Sequence, residues 1–131
     1  MTVGLDTSVV LRLLVGKPED QSQKAIEFLE TLAREGERPV VSDLVVAETY
    51  FALQHHYGVP KNEALQVLRR MFAEGEIASS GRAAEVLAMT GHATAKPGFV
   101  DRLIHRTYTQ GGGDMATFEQ SAKKLPSVRL L

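Results

Sequence analysis

Short apolar runs alternate with longer segments of helical period along this chain, and that alternation limits the possible folds more than any other feature. Residues 2–5, 39–41, 115–118 and 128–131 read as short buried strands, with 76–78 as a weaker fifth. Between them, residues 9–14, 21–34, 62–73, 82–95 and 99–109 read as helices. A further helix follows Ser42 and Asp43 to about His56, and either residue suits its N-cap. A last short helix covers 120–125. Gly16-Lys17-Pro18, Gly36, Gly58-Val59-Pro60, Lys96-Pro97-Gly98 and Gly111-Gly112-Gly113 supply the breaks. Strands taking turns with helices predict an α/β fold, a single domain over 1–131 with a mainly parallel central sheet flanked by helices. The 131 residues suffice for one hydrophobic core, and no repeat, low-complexity tract or long linker divides them.

Composition removes several classes of function. The chain has no cysteine, so disulfides and thiolate metal sites are excluded, and a reducing cytoplasm is the expected setting. Its longest apolar runs are too short to span a bilayer, so no membrane association is expected. The first residues lack the basic start and apolar core of a secretory signal and read as part of the fold. A net charge of −1 argues against a generally basic nucleic-acid binder. That argument weakens if carboxylates are gathered around cations, because the remaining surface then turns positive. His55, His56 and His92 show no zinc spacing, and the GGGD stretch lacks the Gly-Lys-Ser/Thr of a phosphate loop.

Four acids stand in unusual places. Asp6, in LDTS, lies at the carboxyl end of the first strand, where open α/β sheets bind ligands. It fits equally well as the N-cap of the next helix. Glu48 has Leu44, Val45, Phe51 and Ala52 as its helical neighbours, so it is expected in the middle of an apolar stripe. A buried, unpaired carboxylate costs several kcal/mol by order of magnitude, or must protonate, so it calls for a cation or an interior partner. Asp101 opens the helix FVDRLIHRTY just beyond its apolar edge, where an acid also favours the helix dipole. Glu119 follows the strand MATF, with Thr117 two residues earlier, and Asp114 precedes that strand. Acids converging at one sheet edge would suit the hard cations Mg²⁺ or Mn²⁺, which activate water and stabilise charge on a phosphoryl oxygen.

The blocks MTVGLDTSVVLRLL, VVSDLVVAETYFAL, FVDRLIHRTY and ATFEQSAKKLPSVRLL resemble the PIN domain, in family order and over nearly the whole chain. The compact length looks most like the VapC-type toxins of toxin–antitoxin pairs. That resemblance implies a Mg²⁺- or Mn²⁺-dependent endoribonuclease acting on RNA, commonly a homodimer, neutralised by a cognate antitoxin. It implies that Asp6, Glu48, Asp101 and Glu119 are catalytic metal ligands, with Ser8 and Thr117 as supporting polar residues. Glu119 stands where the family usually has aspartate, which leaves Asp114 as a substitute. Arg102 stands where the family often has alanine.

Arg102, His105 and Arg106 follow Asp101 on one helix and are candidates for the RNA backbone, against the plainer role of a charged, solvated face. The helices 21–34 and 62–73 would bury their apolar sides on the sheet, or offer a dimer seam or an antitoxin groove. Two other functions compete: a PIN-like domain that only binds, and a phosphatase with Asp6 as nucleophile. The phosphatase would need a second acid where this chain has Ser8.

Overall fold

The structure is a computed structural model that describes residues 2–90 and 94–131. Its elements run β1 (Thr2–Gly4), α1 (Thr7–Val15), α2 (Glu19–Arg34), β2 (Arg38–Val41), α3 (Asp43–His55), α4 (Lys61–Ala73), β3 (Ala78–Ser79), α5 (Ala83–Thr90), α6 (Phe99–Thr109), β4 (Met115–Thr117), a 3-10 turn (Gln120–Lys124) and β5 (Val128–Leu130). Every strand pair is parallel. β2 lies between β1 and β3, with Gly4 opposite Val40 and Val41 opposite Ser79. β4 and β5 pair separately, Met115 opposite Val128, so the expected single sheet divides into three strands and two. Parallel neighbours cannot be joined by a hairpin, and each pair here is connected through helical or 3-10 segments.

Sequence punctuation accounts for most boundaries. α2 ends where Gly36 takes φ +69°, a conformation that favours glycine. The N–H groups of Gly36 and Glu37 then reach back to the carbonyls of Ala33 and Leu32, satisfying two helix-end acceptors. The third strand begins two residues later than expected, at Ala78. The helix expected over 82–95 is described as far as Thr90; residues 91–93, which include His92, lie outside the described residues, and Thr94 and Ala95 are not helical.

The core joins β2 to α1, α3, α4, α5 and α6 through Val41, Val10, Val46, Leu68, Leu87 and Phe99, each essentially sealed from solvent. Burying one such aliphatic side chain stabilises the fold by ~1.5–3 kcal/mol. On α3 the inward face is Val46, Thr49, Tyr50 and Leu53. The Tyr50 ring meets Phe99 of α6 edge-on, with centroids 5.2 Å apart.

α3 also carries a connection that sequence spacing does not reveal. Ser42, not Asp43, caps α3, accepting from the N–H of Val45 at 3.3 Å. The Asp43 carboxylate turns instead to the start of α5, accepting from the N–H of Arg82 at 2.9 and 3.1 Å and of Ala83 at 2.9 Å. It thus caps a helix forty residues along the chain. The approach requires glycine at position 81, because a Cβ there would stand 2.4 Å from the carboxylate.

Gly81→Ala should therefore displace the Asp43 carboxylate and cost about 1–2 kcal/mol, the usual worth of a lost cap. Asp43→Ala combined with Gly81→Ala should cost little more than Asp43→Ala alone, since both remove one interaction. Urea denaturation checks this; a Gly81→Ala midpoint equal to wild type would contradict the close approach.

Candidate functional site

The turn between β1 and α1 fixes the first two acids. Leu5 is buried, and Asp6 caps α1 with extended backbone at φ −88° and ψ 176°. Its Oδ1 accepts from the Ser8 hydroxyl at 2.6 Å and from the Val9 N–H at 3.1 Å. The hydroxyl first, and the backbone second, hold this carboxyl below its ordinary value of 3.8. Thr7, between them, donates its hydroxyl to Oε1 of Glu48 at 2.7 Å. One short turn thus ties the acid of α3 to the acid at the end of β1.

Glu48 is exposed, which corrects the expectation of a carboxylate buried on an apolar stripe. α3 is apolar on most sides, and the side carrying Glu48 faces outward: Leu44 is 73% exposed and Phe51 46%. A solvated carboxylate needs no cation to offset desolvation, so burial no longer argues for a ligand here. The argument rests on its bond to Thr7.

Asp101 is exposed in the first turn of α6. Glu119 is exposed after β4, at its carboxyl end, and caps the 3-10 turn. Its Oε1 accepts from the Ser121 hydroxyl at 2.8 Å and the Ser121 N–H at 3.1 Å. Those two bonds, with a lesser contribution from the charge of Lys96 in the loop before α6, hold the Glu119 carboxyl below its ordinary value. Thr117 accepts the Glu119 N–H at 3.0 Å, so its hydroxyl shapes this turn. Asp114 stands at the opposite end of β4 and pairs with Arg129 at 2.9 Å.

The structure therefore links Asp6 with Glu48 through Thr7, and sets Glu119 within reach of the Lys96 charge. It does not bring the four carboxylates into one ligand sphere: among the described residues no group of three or more His, Asp and Glu stands in a metal-holding arrangement. In the donor set, three acids show one pattern. On Asp6, Glu48 and Glu119 the described hydrogen bonds all fall on a single oxygen, Oδ1 or Oε1. Each carboxylate is oriented through that oxygen. Anionic, exposed, all-oxygen donors fit a hard divalent cation.

The structure removes His105 from the cationic row expected on α6 and gives its two arginines protein partners. His105 is 6% exposed, and its Nε2 donates to the Pro126 carbonyl at 2.6 Å, so it is a core residue closed to an RNA backbone. Arg102 donates to the carbonyls of Pro97, at 2.8 Å, and Lys96, at 3.3 Å, and Arg106 pairs with Glu85 of α5. Arg102 thus secures the loop before α6 and forms no ion pair with a site carboxylate among the described residues. Sequence reasoning missed Thr7 as the holder of Glu48, and Ser121 as the anchor of Glu119. For Ser121 the available signal was a hydroxyl two residues after a capping acid, in EQS as in DTS; nothing local signals the reach of Thr7 to Glu48, 41 residues away.

The hollow of about 670 Å³ lies away from these acids, between α2 and α4 at the amino ends of β2 and β3, where Arg38, Pro39 and Ile77 line it. No described helix is long and apolar enough to cross a membrane.

The PIN domain matches residues 3–127, and the chain belongs to the PIN-domain family. Neither the curated proteins nor the solved structures gave a match. PIN domains are in general nucleases, hydrolases that use divalent metals.

Replacing Ser8 by alanine removes the strongest influence lowering the Asp6 carboxyl. Its pKa, followed by carboxyl carbon NMR, should rise toward 3.8. The linkage has a definite sign: a lowered folded value stabilises the protein above the unfolded pKa, and that stability is lost as pH falls through the folded value. Ser8→Ala should shrink this acid-sensitive contribution; an unmoved Asp6 titration would contradict the assigned bond.

Proposed function

We propose that this chain is a Mg²⁺- or Mn²⁺-dependent endoribonuclease that hydrolyses phosphodiester bonds of RNA in the cytoplasm. The observation that carries this reading is the shared state of Asp6, Glu48 and Glu119, each an exposed carboxylate held in direction through one oxygen. Together with Asp101, these residues would hold the ion. Such an ion supplies an activated water and stabilises negative charge on the phosphoryl and leaving oxygens.

The protein's own part is orientation and charge. Ser8 and the α1 N-terminus keep Asp6 anionic and fix its direction, as Thr7 does for the direction of Glu48. Ser121 keeps Glu119 anionic. The longer glutamate at 119 is folded back onto Ser121, so it acts by extending its second oxygen or through water. A phosphatase with Asp6 as nucleophile is less well supported, because two donors on Oδ1 lower the basicity of that carboxylate.

We further propose that the nuclease is the toxin of a toxin–antitoxin pair and forms a homodimer. The exposed Leu44 and Phe51 on α3 are consistent with a subunit contact. The hollow between α2 and α4, floored by Leu29, Val67 and Met71, is consistent with an antitoxin segment. Binding without cleavage is the second reading, favoured by the turned-back Glu119.

The purified protein is expected to cleave RNA in Mn²⁺ and to stop when EDTA removes the ion. Asp6→Ala should reduce the rate by roughly a hundred-fold or more, since the metal carries several kcal/mol of the stabilisation. Equal cleavage by Asp6→Ala, or undiminished cleavage in EDTA, would overturn the assignment.

A further inference from the structure

Next to the Asp6 turn, α1 and α2 leave a pocket of about 280 Å³ between them. Ser8, which bonds to Asp6, forms part of its wall, so the pocket is contiguous with the acid site. From α2 come Gln21, Lys24, Ala25 and Phe28, at the spacing that places them on one helix face. Ala25 is buried, and its single methyl leaves a depression where a longer side chain would fill the space. From α1 come Val9 and Arg12.

The lining divides by chemistry. Val9 and Ala25 form an apolar floor, and the Phe28 ring stands beside it 42% exposed. Gln21 accepts the Nε–H of Arg12 at 2.5 Å, which steadies the guanidinium while its terminal amino groups find no partner among the described residues. Lys24 is exposed, and neither Lys24 nor Arg12 has a carboxylate partner among the described residues. Two cations with no carboxylate partner among the described residues, beside the Asp6 turn, suit an anionic ligand there. Cations alone would take any anion; the ring four residues after Lys24 adds the flat apolar surface on which a base stacks.

We propose that this pocket is a nucleotide subsite for single-stranded RNA, holding the residue that flanks the phosphate to be cut. The base lies on Phe28 and the apolar floor, and its phosphate meets Lys24 and Arg12. This rests on the ribonuclease reading of the neighbouring acids. A base enters such a pocket only when it is unstacked from a duplex, so its occupant is an unpaired segment.

The test measures binding apart from cleavage: anisotropy of a labelled single-stranded oligoribonucleotide in EDTA across a salt series, with cleavage in Mn²⁺ assayed in parallel. Phe28→Ala should weaken binding by roughly ten-fold and leave the salt dependence alone, with Phe28→Trp restoring affinity. Lys24→Gln should weaken binding and reduce the slope of log affinity against log salt by about 0.7, the value of one phosphate contact on a single strand. Lys61→Gln, an exposed cation on α4, should bind as wild type. If Phe28→Ala and Lys24→Gln bind as wild type while wild type cleaves in Mn²⁺, the subsite is overturned and the nuclease reading stands. If both variants lose duplex binding as much as single-strand binding, the surface is a general electrostatic one and the subsite is likewise overturned. Wild type that neither binds nor cleaves RNA overturns both.

Discussion

The turn at Asp6-Thr7-Ser8 is the contact on which the site depends. An N-cap aspartate is normally absorbed by its helix, and Asp6 does satisfy the first turn of α1. Both of its bonds fall on Oδ1, so the cap itself leaves Oδ2 facing away from the helix's donors. Thr7 extends the arrangement across the fold to Glu48, so the geometry of one strand end governs acids on two elements. The tie is between exposed groups, and its net contribution to stability is modest, on the order of 1 kcal/mol. Its value is in orientation.

The two acid-bearing turns follow one local rule despite their distance in sequence. In each, an acid caps a helical start and a serine two residues later donates to the same oxygen that accepts a backbone N–H. The rule accounts for the lowered carboxyls of Asp6 and Glu119 without burial. Nearby, the cations of α6 are spent on structure: Arg106 joins α5 to α6 through Glu85, and Arg102 closes the loop that carries Lys96. On the other side of the Asp6 turn Lys24 has no such duty among the described residues, and Arg12, held to Gln21 through its Nε–H, has no described partner for its terminal amino groups.

Helices were legible where the period was clean and the ends punctuated, and α6 runs over the expected 99–109. The parallel order of the strands was legible too, because helices separate them. What failed was the facing of residues whose partners lie far along the chain. α3 is apolar around most of its circumference, so periodicity alone could not say that Val46, Tyr50 and Leu53 turn inward and Glu48 outward. His105 looked like a surface histidine until the Pro126 carbonyl supplied its buried partner, and Asp43 looked like a local cap until Arg82 and Ala83 claimed it. Of the site, the four acids and Ser8 could be named from sequence by resemblance, but Thr7 and Ser121, the hydroxyls that aim Glu48 and Glu119, were not. Their roles depend on which oxygen each one binds.

Calorimetric titration of Mn²⁺ into the wild-type protein and into Glu48→Gln tests the central claim most directly, since it reads the ion and the acids without requiring an RNA substrate. Wild type is expected to bind, and Glu48→Gln, whose fold should be unaffected because the side chain is exposed, to bind roughly ten-fold or more weakly, as loss of an anionic oxygen ligand requires. A folded wild type with no Mn²⁺ binding, or a Glu48→Gln titration equal to wild type, would contradict it.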